Sequence, residues 1–264
     1  MKKRQFLLLA ATAILTLLLT IGLPTFTSST VVAQSNTNLV VSAAASLKEV
    51  LAGIKSIYQQ SNPNIKINYN FGASGTLQQQ IEQGAPADVF ISAGKKQIDN
   101  LESKGFLRPG TTTVIAKNRL VLIVPSNSVG ITSFYNLRNA KIKKIAIGEP
   151  RSVPAGQYAE QVLKNLKIWD NIQPKLVYAN NVRQVLAAVE SGNADAGLVY
   201  MTDAKISHQV KIVVAADEKS HSPIVYPAAV IKKSKNVDAA QDFVKFLSST
   251  PAKNILQKYN FVLP

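Results

Sequence analysis

The chain has 264 residues, with 30 Lys and Arg against 15 Asp and Glu, a formal net charge of +15, and no cysteine. With 46% apolar and only 17% charged residues it has the makeup of a globular protein with a substantial core. The lack of cysteine excludes disulfides, thiolate metal sites, lipid-modified cysteine and cysteine nucleophiles, and His208 and His221 alone leave little material for zinc or histidine-base chemistry.

The chain opens on Met1-Lys2-Lys3-Arg4, followed by an apolar stretch over residues 6–23 and a polar, small-residue segment ending Val31-Val32-Ala33-Gln34. This is the three-part layout of a secretory signal peptide, with cleavage expected after Ala33; the rival reading is an uncleaved membrane anchor. Removing residues 1–33 takes away Lys2, Lys3 and Arg4 and no acid, three of the fifteen net charges, which leaves +12. The remaining cations are scattered. Their densest clusters, Lys141-Ile142-Lys143-Lys144 and Lys232-Lys233-Ser234-Lys235, lack the interleaved aromatics of a single-strand binder, so a solvated basic surface is favoured over nucleic-acid binding.

Beyond the leader, strand-like apolar runs lie at 39–44, 65–71, 89–93, 120–125, 145–148, 175–179, 197–200, 212–215 and 228–231. They alternate with helical patterns: Leu47, Val50, Leu51, Ile54, Ile57 and Tyr58; Val182, Val185, Leu186 and Val189; Val237, Ala240, Phe243, Val244 and Leu247. The alternation predicts an α/β chain of two lobes, with mainly parallel sheets flanked by helices. Lobe one is expected to combine residues 34–118 with 224–264, and lobe two to span 119–223.

In open parallel sheets ligands sit beyond the carboxyl ends of the strands, where helices begin. Four such junctions here are small, neutral and rich in donors: Ser42-Ala43-Ala44-Ala45-Ser46, Gly72-Ala73-Ser74-Gly75-Thr76, Val153-Pro154-Ala155-Gly156, and Asn180-Asn181-Val182-Arg183. Each offers unpaired N–H groups and the positive end of a helix dipole, while Gly75 and Gly156 leave room for close backbone approach. Several facing one cleft would hold an anion without a charged side chain.

At these residues the sequence resembles the periplasmic molybdate-binding protein family of molybdate ABC importers (the ModA family), which has the type II periplasmic binding protein fold with an interlobe cleft. The likeness runs through Ser42-Ala43-Ala44-Ala45-Ser46-Leu47, Phe71-Gly72-Ala73-Ser74-Gly75-Thr76-Leu77, and Gly84-Ala85-Pro86-Ala87-Asp88-Val89-Phe90-Ile91-Ser92-Ala93. It continues with Val153-Pro154-Ala155-Gly156-Gln157-Tyr158-Ala159, Asn181-Val182-Arg183, Gly197-Leu198-Val199-Tyr200 through Asp203, and Tyr226-Pro227. The resemblance implies that the hydroxyls of Ser46, Ser74 and Tyr200 donate to the oxyanion oxygens, joined by the backbone N–H groups of Ser46, Ser74, Ala155 and Val182. It implies molybdate, with tungstate, as the transported ligand, contacted through its oxygens with no direct metal ligation and no cofactor. It also implies a monomer that delivers the ion to a membrane permease from the periplasm. Departures from the family pattern are Glu149 in place of aspartate, the added cation Arg151, and Gly75 in place of serine.

A donor-only site suits ions that are fully deprotonated at neutral pH, because it offers no acceptor for the proton of hydrogen phosphate. Selection of molybdate over sulfate then rests on cavity size. The competing readings are a binding protein for another oxyanion such as sulfate, or for ferric iron through Tyr200 and Tyr226. An esterase built on Ser74 is weaker still, since the second glycine of G-x-S-x-G is missing and no triad histidine is evident.

Overall fold

The computed structural model describes residues 36–264; the expected leader over residues 1–33 lies outside the described residues. The chain builds two five-stranded sheets in succession. β1 (Thr37–Ala44), β2 (Ile65–Gly72), β3 (Val89–Ile91) and β4 (Thr113–Lys117) belong to the first. The chain then crosses at Asn118-Arg119 into the second sheet, made of β5 (Leu120–Pro125), β6 (Ile145–Gly148), β7 (Leu176–Ala179), β8 (Ala196–Tyr200) and β9 (Val210–Ala215). It returns to the first sheet with β10 (Val225–Val230).

The strand orders are β2-β1-β3-β10-β4 and β7-β6-β8-β5-β9. Each sheet has two parallel and two antiparallel pairings, a more even mixture than the expected mainly parallel arrangement. The antiparallel partners are β10 and β5, the first strands after each crossing. The parallel strands β1, β3, β6 and β8 run toward the cleft between the sheets. A strand that enters its sheet from the cleft must run away from it, which sets the opposite direction. Leu120, the first residue of β5, pairs with Tyr200, the last of β8.

Helices cover the sheets through amphipathic faces. α1 (Lys48–Ser61) buries Val50, Leu51, Ile54 and Tyr58 at helical spacing, and the Tyr58 ring meets Phe243 and Phe246 at centroid distances of 5.1 and 5.0 Å. α2 (Ser74–Glu82) and α3 (Lys95–Ser103) complete the helices before the crossing. α4 (Pro154–Asn165), α5 (Trp169–Ile172), α6 (Val182–Glu190) and α7 (Met201–Lys205) accompany the second sheet, and α8 (Val237–Phe246) and α9 (Thr250–Lys258) follow β10. Among the described residues no helix is long and apolar enough to cross a membrane.

Two glycines permit contacts that a side chain would prevent. A Cβ on Gly156 would lie 2.0 Å from the Gly148 carbonyl oxygen, so α4 approaches the end of β6 only because residue 156 has none. A Cβ on Gly75 would lie 2.5 Å from the carbonyl oxygen of Ser152, across the cleft.

Candidate functional site

Ser46, Ser74, Ala155, Val182 and Tyr200 all line one small cavity between the two sheets, with a volume of about 10 Å³. Its wall is completed by Ala93, Asn181 and other small residues, and no charged side chain lines it. The four helix starts meet here because the strands preceding them end on the same cleft.

At two of these starts the neighbouring N–H groups are consumed, leaving one to face the cavity, and at a third one neighbour is. In α6 the side chain of Asn181 accepts from the N–H groups of Arg183 and Gln184 at 3.0 and 3.1 Å, which leaves that of Val182. In α4, Pro154 has no N–H, and those of Gly156 and Gln157 both donate to the Val153 carbonyl, which leaves that of Ala155. In α2 the Gly75 N–H donates to the Ser152 carbonyl at 2.9 Å, while that of Ser74, the first residue of the helix, makes no such bond. Ser46 lies in a single 3-10 turn, Ala45–Leu47, leading into α1. First-turn N–H groups have no partner within their helix, and their dipoles favour an anion.

The hydroxyls are buried and partnered on one side. Ser74 Oγ accepts the Ala93 N–H at 3.0 Å, and a backbone donor cannot accept in return, so the hydroxyl proton stays free for the cavity. Ser46 Oγ lies 3.0 Å from Tyr226 Oη. The Tyr200 hydroxyl donates to the Ala93 carbonyl at 3.3 Å, linking the two sheets across the cleft. Burial pushes both the Tyr200 and the Tyr226 phenols above their ordinary value, with the charge of Asp203 adding to the effect at both and Tyr226 adding to it at Tyr200. At neutral pH both are therefore protonated, neutral hydrogen-bonding groups. Among the described residues no cluster of histidine and carboxylate groups is arranged to hold a metal ion.

Just outside the cavity, charges are paired off. Arg183 on α6 reaches across the cleft to both carboxylate oxygens of Glu49 on α1 and donates to the Ser46 carbonyl at 3.3 Å. Its Nε lies 2.7 Å from Oδ1 of Asp203, which is fully buried at the start of α7. Burial raises the Asp203 carboxyl to about 6, against the opposing pull of the Arg183 guanidinium. Arg151, the added cation, points into solvent, with 89% of its side chain exposed, and pairs with Glu149 at 3.1 Å. His208 is exposed and His221 half-buried, and neither lines the cavity, so Ser74 has no histidine base beside it.

Ala93, Asn118 and Asn181 carry no sequence signal for a role at the site, and Tyr226 stands out in the sequence only as a candidate iron ligand. Ala93 closes a quoted motif, but its part depends on where β3 ends. Asn118 is visible only once the crossing between sheets is located.

The sequence profile of the family described as bacterial extracellular solute-binding protein matches residues 39–262. The molybdate-binding protein ModA of Haemophilus influenzae is 40% identical over 86% of this chain and 91% of its own length. The chain belongs to this family of solute-binding proteins. A Bacillus subtilis relative, YvgL, named for an ABC transporter substrate-binding lipoprotein, is 42% identical over 98% of both chains. The solved periplasmic molybdate-binding protein of Azotobacter vinelandii superposes with a TM-score of 0.77, covering 86% of this chain and 99% of that one at 29% identity. The family is one of solute carriage for transport, not of enzymes, and its members are extracellular or periplasmic. Its two-lobed α/β fold is the fold described above.

Proposed function

We propose that the chain captures molybdate, and tungstate with comparable affinity, in the cleft between its lobes and delivers it to the permease of an ABC importer. The observation that carries this reading is the convergence of four helix-start N–H groups and the hydroxyls of Ser46, Ser74 and Tyr200 on one cavity without a charged side chain. Such a cavity holds a tetrahedral dianion by fixed dipoles, with donors in the majority around it. The identity with molybdate-binding relatives supports molybdate as the ion. In this assignment Ser46, Ser74, Ala155, Val182 and Tyr200 donate to its oxygens, Tyr200 turning its proton from Ala93 to the ligand.

The lobes are residues 34–118 with 224–264, and 119–223; the membership of the two sheets supports these limits. The expected leader would direct the chain to the periplasm, where it acts as a monomer. Thermal unfolding of the chain from residue 34 onward, at matched ionic strength with molybdate, tungstate, sulfate, phosphate and ferric citrate, tests the reading. A ligand at 1,000 times its Kd adds about 4.1 kcal/mol of stability, a clear shift in Tm. Equal shifts with molybdate and sulfate would refute selectivity, and no shift with any oxyanion would refute the site.

A further inference from the structure

Both segments that cross between the sheets meet behind Ser46. Asn118, on the outward crossing, accepts the Arg119 N–H on Oδ1 at 2.9 Å, which fixes the direction of its amide. Its Nδ2 donates to Thr202 Oγ1 at 2.9 Å and to Tyr226 Oη at 3.2 Å. An amide nitrogen cannot accept, so Tyr226 Oη is the acceptor in that bond. Tyr226, at the start of β10, is fully buried, and among the described residues Ser46 Oγ is the remaining partner for its proton, at 3.0 Å. Were Ser46 to donate instead, the phenol proton would be buried without an acceptor, an arrangement that buried polar groups avoid.

We infer that Asn118 and Tyr226 are positioning residues that fix the Ser46 hydroxyl as a donor to the oxyanion, through a one-way chain from the Arg119 N–H to Asn118, Tyr226, Ser46 and the ligand. The inference rests on the proposed function and extends it, because a hydroxyl that accepts from Tyr226 has only the ligand to receive its proton and so favours ligand oxygens that accept over those that carry a proton. Neither residue touches the ion.

Titration calorimetry with molybdate and with phosphate on the wild type, Tyr226→Phe, Ser46→Ala and the double variant tests this. Tyr226→Phe keeps the ring and is expected to weaken molybdate about tenfold, to change it less than twofold in the Ser46→Ala background, and to narrow the ratio of molybdate to phosphate affinity. Asn118→Asp, which places an acceptor where the amide donated, is the second variant; its larger loss should shrink in the Ser46→Ala background. Thermal unfolding without ligand reports whether each variant folds. Unchanged molybdate affinity in Tyr226→Phe, or equal losses with and without Ser46, would overturn the chain of donors while leaving the proposed function standing. A wild-type chain that ignores molybdate would overturn both.

Discussion

The Ser74 and Ser46 corners of the cavity reach the same end by different means. At Ser74 the hydroxyl is oriented by a backbone N–H, that of Ala93, and the contact across the cleft is a backbone bond from Gly75 to Ser152. At Ser46 the hydroxyl is backed by the side chain of Tyr226, and the contact across the cleft is the guanidinium of Arg183 on Glu49 and on the Ser46 carbonyl. Backbone groups survive most substitutions, whereas each side chain at the Ser46 corner can be lost singly. The site thus joins a corner specified by fold to a corner specified by residue choice. The sequence Val182-Arg183 shows both kinds of provision side by side: one residue lends its N–H to the cavity, and the next lends its charge to the clasp outside.

The largest effect expected is loss of either hydroxyl. Ser46→Ala and Ser74→Ala should each weaken molybdate roughly 10- to 150-fold, the range for a hydrogen bond to a charged group, about 1.5–3 kcal/mol. Calorimetry that found only one of them affected would show that the two corners are not equivalent donors. Next comes Gly75→Ala, which attacks the otherwise robust Ser74 corner by placing a Cβ against the Ser152 carbonyl. Overpacking of this kind costs about 1–3 kcal/mol, so a loss near tenfold is expected, with a larger radius of gyration in X-ray scattering of the liganded protein. An unchanged affinity and radius would mean that the corner yields easily.

A smaller effect is expected from Glu49→Gln, which removes one partner of Arg183 while Asp203 remains. Because the pair is partly exposed, the loss should be at most about fivefold and should diminish in high salt. A salt-independent, larger loss would give the clasp the weight of a buried ion pair. The smallest is Arg151→Ala, expected to change equilibrium affinity less than twofold, since that side chain is in solvent beside Glu149. A tenfold loss in calorimetry would place Arg151 on the ligand.

Much of this was legible in the sequence, for identifiable reasons. Nine strands announced themselves as apolar runs bounded by small or polar residues, and the amphipathic faces of α1, α6 and α8 by their spacing. β4 escaped because Thr113-Val114-Ile115-Ala116-Lys117 is a short edge strand with half-exposed ends, followed within two residues by the stronger run of β5. α3 and α9 escaped because each presents only a few apolar residues among many polar ones. The parallel or antiparallel sense of a pairing depends on the route between sheets, which periodicity does not encode. At the site, helix-start donors could be read from local sequence because each depends on a few consecutive residues. The Asn118–Tyr226–Ser46 contacts could not, since their partners lie 108 and 180 positions apart.

The place of β10 has a consequence for how the chain acquires its structure. Residues 113–117 have β10 as their sheet partner, and β10 arrives only after every strand of the second sheet has been made. During synthesis the second sheet can therefore assemble while the first lacks its fourth strand in spatial order. Once folded, it brings the flanking segments together, with the Asn118 N–H 3.1 Å from the Ile224 carbonyl oxygen, so the entropy of closing that long loop has already been spent. Pulsed hydrogen exchange during refolding should accordingly protect amides of β6 and β8 before those of β4, making residues 113–117 the last strand to lock.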